Sequence, residues 1–207
     1  MNFLAVDTSG NFMSVVAVNN GEVFTTFVPD CAMKHSVSIL PKIQETLEKA
    51  KMSLSDCDFF GAVVGAGSFT GIRIGISAIK GFALATGKKT LPITSFAVLA
   101  YNAIDDGKKL CLVDALHDCY YACGYDGDKV VFEPTYLTEE EVLALANDGY
   151  ALCACTPLPI GEKADVKVLD PVTGLVSATK ALADKNEFGE LNALYVRKSS
   201  AEENLKL

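Results

Sequence analysis

Tryptophan is absent from the 207 residues, and histidine occurs only twice, at His35 and His117, far apart in the chain. That leaves no paired histidines for a metal site of the usual spacing. Long apolar runs are lacking as well: none reaches the roughly 18 to 20 residues a membrane-spanning helix needs. The opening Phe3-Leu4-Ala5-Val6 follows the first methionine with no basic stretch and no small-residue cleavage site, so no signal peptide is expected. A basic excess is missing too. The formal net charge is −8, with 8 Lys/Arg against 7 Asp/Glu in residues 1–100 and 10 against 19 in residues 101–207. Clustered cations supply most non-specific affinity for nucleic acid, so this balance opposes autonomous binding. If RNA is the substrate, another protein must carry most of the contact. Seven cysteines form an odd number without framework spacing, which points to a reducing, cytoplasmic compartment.

What is present is enough apolar residue, half the chain, for a packed α/β core. Phe3–Val6, Met13–Val18 and Glu22–Val28 read as strands, joined by the turns Asp7–Gly10 and Asn19-Asn20-Gly21. Lys34–Met52 reads as an amphipathic helix with Val37, Leu40, Ile43, Leu47 and Ala50 on one stripe. Pro41 is compatible with it if the helix begins near Ser38. Phe59–Val64 reads as a buried strand and Phe69–Thr86 as a long helix closed by Gly87, Lys88 and Lys89. A strand near Leu91–Ile93 then leads to a helix capped by Ser95.

A similar order returns in the second half. Leu110–Val113 ends in Asp114 as Phe3–Val6 ends in Asp7, and strands at Cys119–Tyr125 and Lys129–Phe132 flank the turn Asp126-Gly127-Asp128. Glu139–Ala146 reads as helix, Tyr150–Ala154 as strand, Gly174–Ala183 as helix, and Leu191–Arg197 as a short extended piece. The expected architecture is a duplicated β-β-β-α unit, with lobes 1–105 and 106–207.

The most informative stretch is Gly65-Ala-Gly-Ser-Phe-Thr-Gly-Ile-Arg-Ile-Gly75, a strand, a glycine turn and a helix start. Gly65 and Gly67 permit positive φ or close backbone approach, and Ser68 or Thr70 can cap the helix. Such a turn is either a plain tight turn or an anion cradle. Within the helix, Gly71, Gly75, Ala78 and Ala83 leave one side without bulk, beside Ile72, Ile76, Ile79 and Phe82. A glycine inside a helix costs about 1 kcal/mol against alanine, so close packing should offset it, within the fold or against a partner.

That stretch resembles the GPGSFTGLRIG signature of the TsaB (YeaZ) family, with Ala66 in place of proline. Asp7-Thr8-Ser9, His35-Ser36 with Leu40-Pro41, Asp114 with Tyr120-Tyr121, and Tyr195-Val196-Arg197 with Ala201-Glu202 are similar to further family segments, in the same order. The resemblance implies duplicated actin-like, ribonuclease-H-like lobes of the actin, sugar-kinase and heat-shock ATPase (ASKHA) superfamily. It also implies a non-catalytic subunit that pairs with TsaD and TsaE homologues to form N6-threonylcarbamoyladenosine beside the tRNA anticodon, with tRNA held mainly by the partner.

Pairing through the first two long helices would use Leu40, Ile43, Leu47, Gly71, Ile72, Gly75, Ile76, Ala78, Ile79 and Phe82. A homodimer is the alternative use of that face. Asp7, Thr8, Ser9, Gly65, Gly67 and Ser68 are the residues for an anion or nucleotide. ATP or ADP would sit at the interface with the partner, and no cofactor is intrinsic.

Where the catalytic paralogue carries an HxxxH metal motif, this chain has Ser95 and Leu99. No metal site is expected, and His35 reads as a helix-start residue. The cysteines, Cys153 and Cys155 among them, read as buried thiols, with a metal or redox role as the other readings. Asp7 either caps its turn or serves an ATPase cleft. A small-molecule kinase or ATPase and a metalloprotease are the competing functions.

Overall fold

The computed structural model describes residues 1–102 and 107–197; the Ala201-Glu202 match lies outside them. Ten strands and five helices follow in order: β1 Phe3–Asp7, β2 Met13–Asn19, β3 Glu22–Val28, α1 His35–Ala50, β4 Phe59–Gly65, α2 Phe69–Thr86, β5 Lys89–Thr94, α3 Ser95–Ala100, β6 Lys108–Asp114, β7 Cys119–Asp126, β8 Lys129–Thr138, α4 Glu139–Asn147, β9 Ala151–Ala154, β10 Val166–Val168 and α5 Pro171–Asp184. None of the described helices is long and apolar enough to cross a membrane.

The strands form two five-stranded sheets, ordered β3-β2-β1-β4-β5 and β8-β7-β6-β9-β10. In each, the first strand pairs antiparallel with the second and parallel with the fourth. The second and third strands pair antiparallel, and the fourth and fifth parallel. The repeat in the sequence is therefore a repeat of topology. It is incomplete at one point. Between β4 and β5 stands α2, whereas between β9 and β10 there is only the 3₁₀ turn Pro159–Glu162.

Alternation along β1 and β2 divides the first sheet into two apolar faces. Leu4, Val6, Met13, Val15 and Ala17 face α1 and α2. Phe3, Ala5, Val16 and Val18 face α3 and α5 through Ala97, Val98, Leu175 and Leu182. The other side of α3 supplies Phe96, Leu99 and Ala100 to the second sheet's Cys111, Cys123 and Cys153. A boundary at residues 105 and 106 thus separates the sheets but not the packing, because α5 lies on the first sheet.

Three local expectations need correction. α1 begins at His35, so Pro41 lies inside the helix rather than in its first turn. Its ring is at the solvent side, where the missing N–H is least costly. Because His35 is buried, its i+4 neighbour Ile39 takes the inward place with Ile43, Thr46, Leu47 and Ala50, and Val37 and Leu40 turn outward. The cap of α3 is Thr94, which accepts from Ala97 N–H, because the Ser95 hydroxyl donates elsewhere. Finally, β8 runs on to Thr138 past Pro134, which an edge strand tolerates. Leu191–Arg197 has no strand pairing; it crosses the first sheet, with Leu194 N–H donating to Val64 O at 2.7 Å.

Candidate functional site

The ends of β1 and β6 carry the same device. Asp7 Oδ1 accepts from Ser9 N–H at 2.8 Å, and Asp114 Oδ1 accepts from Leu116 N–H at 2.8 Å. Each aspartate closes its own turn two residues on, as Asx side chains do. The two turns face one another across a cleft of about 500 Å³. Its lining includes Asp7, Ser9, Gly67, Ser68, Ser95, Leu99, Asp114 and Cys155.

Of the six residues expected to hold an anion, the cleft brings together Asp7, Ser9, Gly67 and Ser68, while Thr8 and Gly65 lie elsewhere. The Thr8 hydroxyl donates to Gly71 O at 2.7 Å, under α2. Gly65 faces the C-terminal segment, and a Cβ there would stand 2.6 Å from Leu194 O. Gly65 and Gly67 have φ of +122° and +143°, where glycine is required. At Gly67 a Cβ would collide with Ser9 O, and the next amide, Ser68 N–H, donates to that same oxygen at 2.7 Å. The Ser68 hydroxyl caps Gly71 N–H at 3.2 Å. The loop's glycines therefore serve backbone-to-backbone packing inside the chain, and part of the helix start is already satisfied.

The charge of the cleft opposes a phosphate. Its lining contains two carboxylates and no lysine or arginine. Burial pushes the Asp7 carboxyl up from its ordinary value, against the lowering by the hydrogen bonds from Ser9 and by His35. Among its described lining residues the cleft offers a phosphate no cationic side chain of its own.

The residues present do not fit the paralogue's metal. Leu99 has no donor atom, and the Ser95 hydroxyl is engaged, donating to Ala66 O at 2.6 Å. Among the described residues no three His, Cys, Asp or Glu side chains are grouped to hold a metal ion. His35 is buried at the start of α1, with Nε2 2.9 Å from Phe12 O. It ties α1 to the loop that follows β1.

The cysteines sit mostly in apolar surroundings. Burial pushes the Cys57 thiol up to about 11 and the Cys123 thiol to about 12, and raises Cys111 and Cys155 as well. Cys111 and Cys153 lie opposite each other on β6 and β9, with sulfurs 3.7 Å apart. Thiols held protonated in this way are poor nucleophiles.

The residues expected to pair with a partner divide sharply. Ile43, Leu47, Gly71, Ile72, Gly75, Ile76 and Ile79 are buried inside the chain, and Ala78 and Phe82 are half-buried against the same core. A Cβ at Gly75 would stand 2.5 Å from Thr8 Oγ1, and one at Gly71 would collide with Thr8 O. The small-residue side of α2 is thus its inner side, packed on the end of β1, and the expectation that it faces a partner is corrected. Only Leu40 is outward, 55% exposed. Sequence reasoning missed the outer apolar residues: Met33 is 95% exposed, Val37 72% and Leu84 88%. The signal was available in α2, whose apolar residues exceed what one inward stripe can hold.

A model of the family described as TsaD, tRNA N6-adenosine threonylcarbamoyltransferase, matches residues 19–154. The chain is 35% identical over 103 residues to the tRNA threonylcarbamoyladenosine biosynthesis protein TsaB of Escherichia coli, covering 50% of this chain and 44% of that protein. It is 33% identical over 114 residues to the TsaB of Buchnera aphidicola from Schizaphis graminum, covering 55% and 54%. The chain thus spans about half the length of the curated relatives it matches. The solved structure of YeaZ from Pseudomonas aeruginosa superposes with a TM-score of 0.75 over 94% of this chain and 99% of that one, at 22% identity. That likeness is one of fold: two mixed sheets in the actin-like arrangement.

Proposed function

The chain belongs to the tRNA N6-adenosine threonylcarbamoyltransferase family, in which it resembles TsaB, and from that premise we propose that it is a non-catalytic subunit of a TsaD-type transferase. In this reading it docks through the outer faces of α1 and α2 on the enzyme that forms N6-threonylcarbamoyladenosine in tRNA. The observation that carries it is the outward apolar set Met33, Val37, Leu40 and Leu84 on or beside those helices. Large apolar side chains this exposed are typical of docking surfaces. Ser95 and Leu99 support the non-catalytic part, since neither side chain can replace a metal-binding histidine.

The acidic balance of the chain supports a reading in which tRNA is held mainly by the partner. ATP or ADP would sit at the interface with the partner, which would supply the cations that the cleft lining lacks. TsaE homologues would join the same assembly, in the cytoplasm, and a homodimer through the same face would compete with it. Neither a kinase nor a metalloprotease is favoured by an observation of this chain.

Size-exclusion chromatography of the chain mixed with the TsaD homologue of the same organism tests the reading. Co-elution of wild type and separate elution of Leu84→Asp are expected. Separate elution of the wild-type proteins would overturn it.

A further inference from the structure

At the start of α2 one cation is held in place with no acidic partner among the described residues. The Arg73 guanidinium lies over the Phe69 ring, 3.7 Å from its centroid. Phe69 stacks in turn on Tyr195, with ring centroids 5.2 Å apart. The Tyr195 hydroxyl accepts from Arg73 Nε at 2.8 Å. Tyr195 is itself fixed, because it follows directly on Leu194, whose N–H donates to Val64 O, and Leu191 of the same segment is buried.

Of the five N–H donors of a guanidinium, Nε uses its one here, and the four on the Nη atoms point to no described acceptor. Arg73 makes no ion pair with a described residue; those pairs are formed by Lys42, Lys49, Lys163 and Lys185. The whole of α2, Phe69–Thr86, contains no Asp or Glu. An exposed arginine normally keeps its rotamer freedom and gives it up on binding. Arg73 is instead braced by the Phe69 ring and the Tyr195 hydroxyl, on a helix whose outer face also carries Lys80 and the exposed Leu84.

We propose that Arg73, positioned by Phe69 and Tyr195, is the anchor that takes an aspartate or glutamate carboxylate of the transferase partner. The proposal rests on the docking reading above and names the chemistry of its contact. A planar guanidinium with both Nη groups presented outward suits a bidentate carboxylate. Charge complementarity argues for an acidic site on the partner, since α2 is cationic and without acid. It argues against an RNA phosphate, because the chain carries a net charge of −8. The docking surface is then composite: the C-terminal segment, through Tyr195, belongs to it as much as α2 does.

The test is the Kd of the full chain for the purified TsaD homologue at low and high salt, with wild type, Arg73→Ala, Arg73→Lys and Tyr195→Phe. Thermal midpoints are expected to stay together for all four, because the changed groups are exposed. Arg73→Ala is expected to weaken binding about tenfold or more and to flatten its salt dependence. Arg73→Lys should recover little of this, because an ammonium cannot make the paired contact. Tyr195→Phe keeps the stack and the charge but frees Nε, and should give a smaller loss with most of the salt dependence kept.

Wild-type affinity and salt slope retained in Arg73→Ala would overturn the anchor and leave the docking reading standing. No binding by wild type would overturn both. Binding of tRNA by the isolated chain that is lost in Arg73→Ala, with partner affinity unchanged, would overturn the carboxylate in favour of a phosphate.

Discussion

Gly71 is buried and Gly81 exposed on α2, and the two should respond to one substitution in opposite directions. A methyl at Gly71 collides with Thr8 O, whereas nothing lies within 4 Å of a methyl at Gly81. Gly71→Ala is expected to cost about 1–3 kcal/mol through forced backbone movement. Gly81→Ala is expected to gain about 0.5–1 kcal/mol from helix propensity. Urea denaturation of the two variants checks both signs; a loss at Gly81 would mean that its side is covered.

Asp7 offers a second residue-scale test. Its buried carboxyl titrates above the ordinary aspartate value of 3.8, so the folded state holds that proton more tightly than the unfolded chain does. Stability from this group is therefore lost as pH rises from 3.8 through the raised value. Asp7→Asn keeps an acceptor for Ser9 and cannot ionise. Its stability relative to wild type should rise with pH across that window. A difference that stays flat would show that Asp7 is not held in this way. Nothing in the sequence distinguished Asp7 from the exposed Asp114, because burial follows from contacts between distant parts of the chain.

At the scale of elements, the helix bounds of α2 and its Gly87 stop were legible, because propensity, capping and periodicity agree there. What was not legible was which side of α2 faced inward. The small residues suggested close approach correctly, but the neighbour is the end of β1 rather than another protein. Gly75→Leu is accordingly expected to unfold or grossly destabilise the chain, while Leu84→Asp leaves the thermal midpoint nearly unchanged. The reverse order by circular dichroism would return the partner face to the small-residue side.

A missed cap tells a similar story. Asp170 opens α5 by accepting from Val172 and Thr173 N–H, at 3.3 and 2.9 Å. Burial works against its ionised form, but these hydrogen bonds outweigh it and hold its carboxyl below the ordinary value. Asp170→Ala should cost about 1 kcal/mol at neutral pH, measured by denaturation. The aspartate followed by Pro171 was a readable start signal. The packing of α5 on the first sheet was not, because it is a contact between distant parts of the chain.

For the molecule as a whole, duplication was visible as two strands ending in aspartate, and the two sheets repeat one strand order. The missing counterpart of α2 leaves the second lobe thinner, and the outer faces of α1 and α2 as the broad apolar exposure of the first. The cleft between the lobes keeps the geometry of a ligand site but lines it with acid and with side chains already engaged. Both features fit the proposal that a partner carries the chemistry and this chain the docking. Reconstitution tests that claim most directly: threonylcarbamoyladenosine formation on tRNA by the TsaD and TsaE homologues of the same organism, with and without this chain. Activity that requires the wild-type chain and fails with Leu84→Asp is the result expected. Equal activity without the chain, or threonylcarbamoyl transfer by the chain alone, would contradict it.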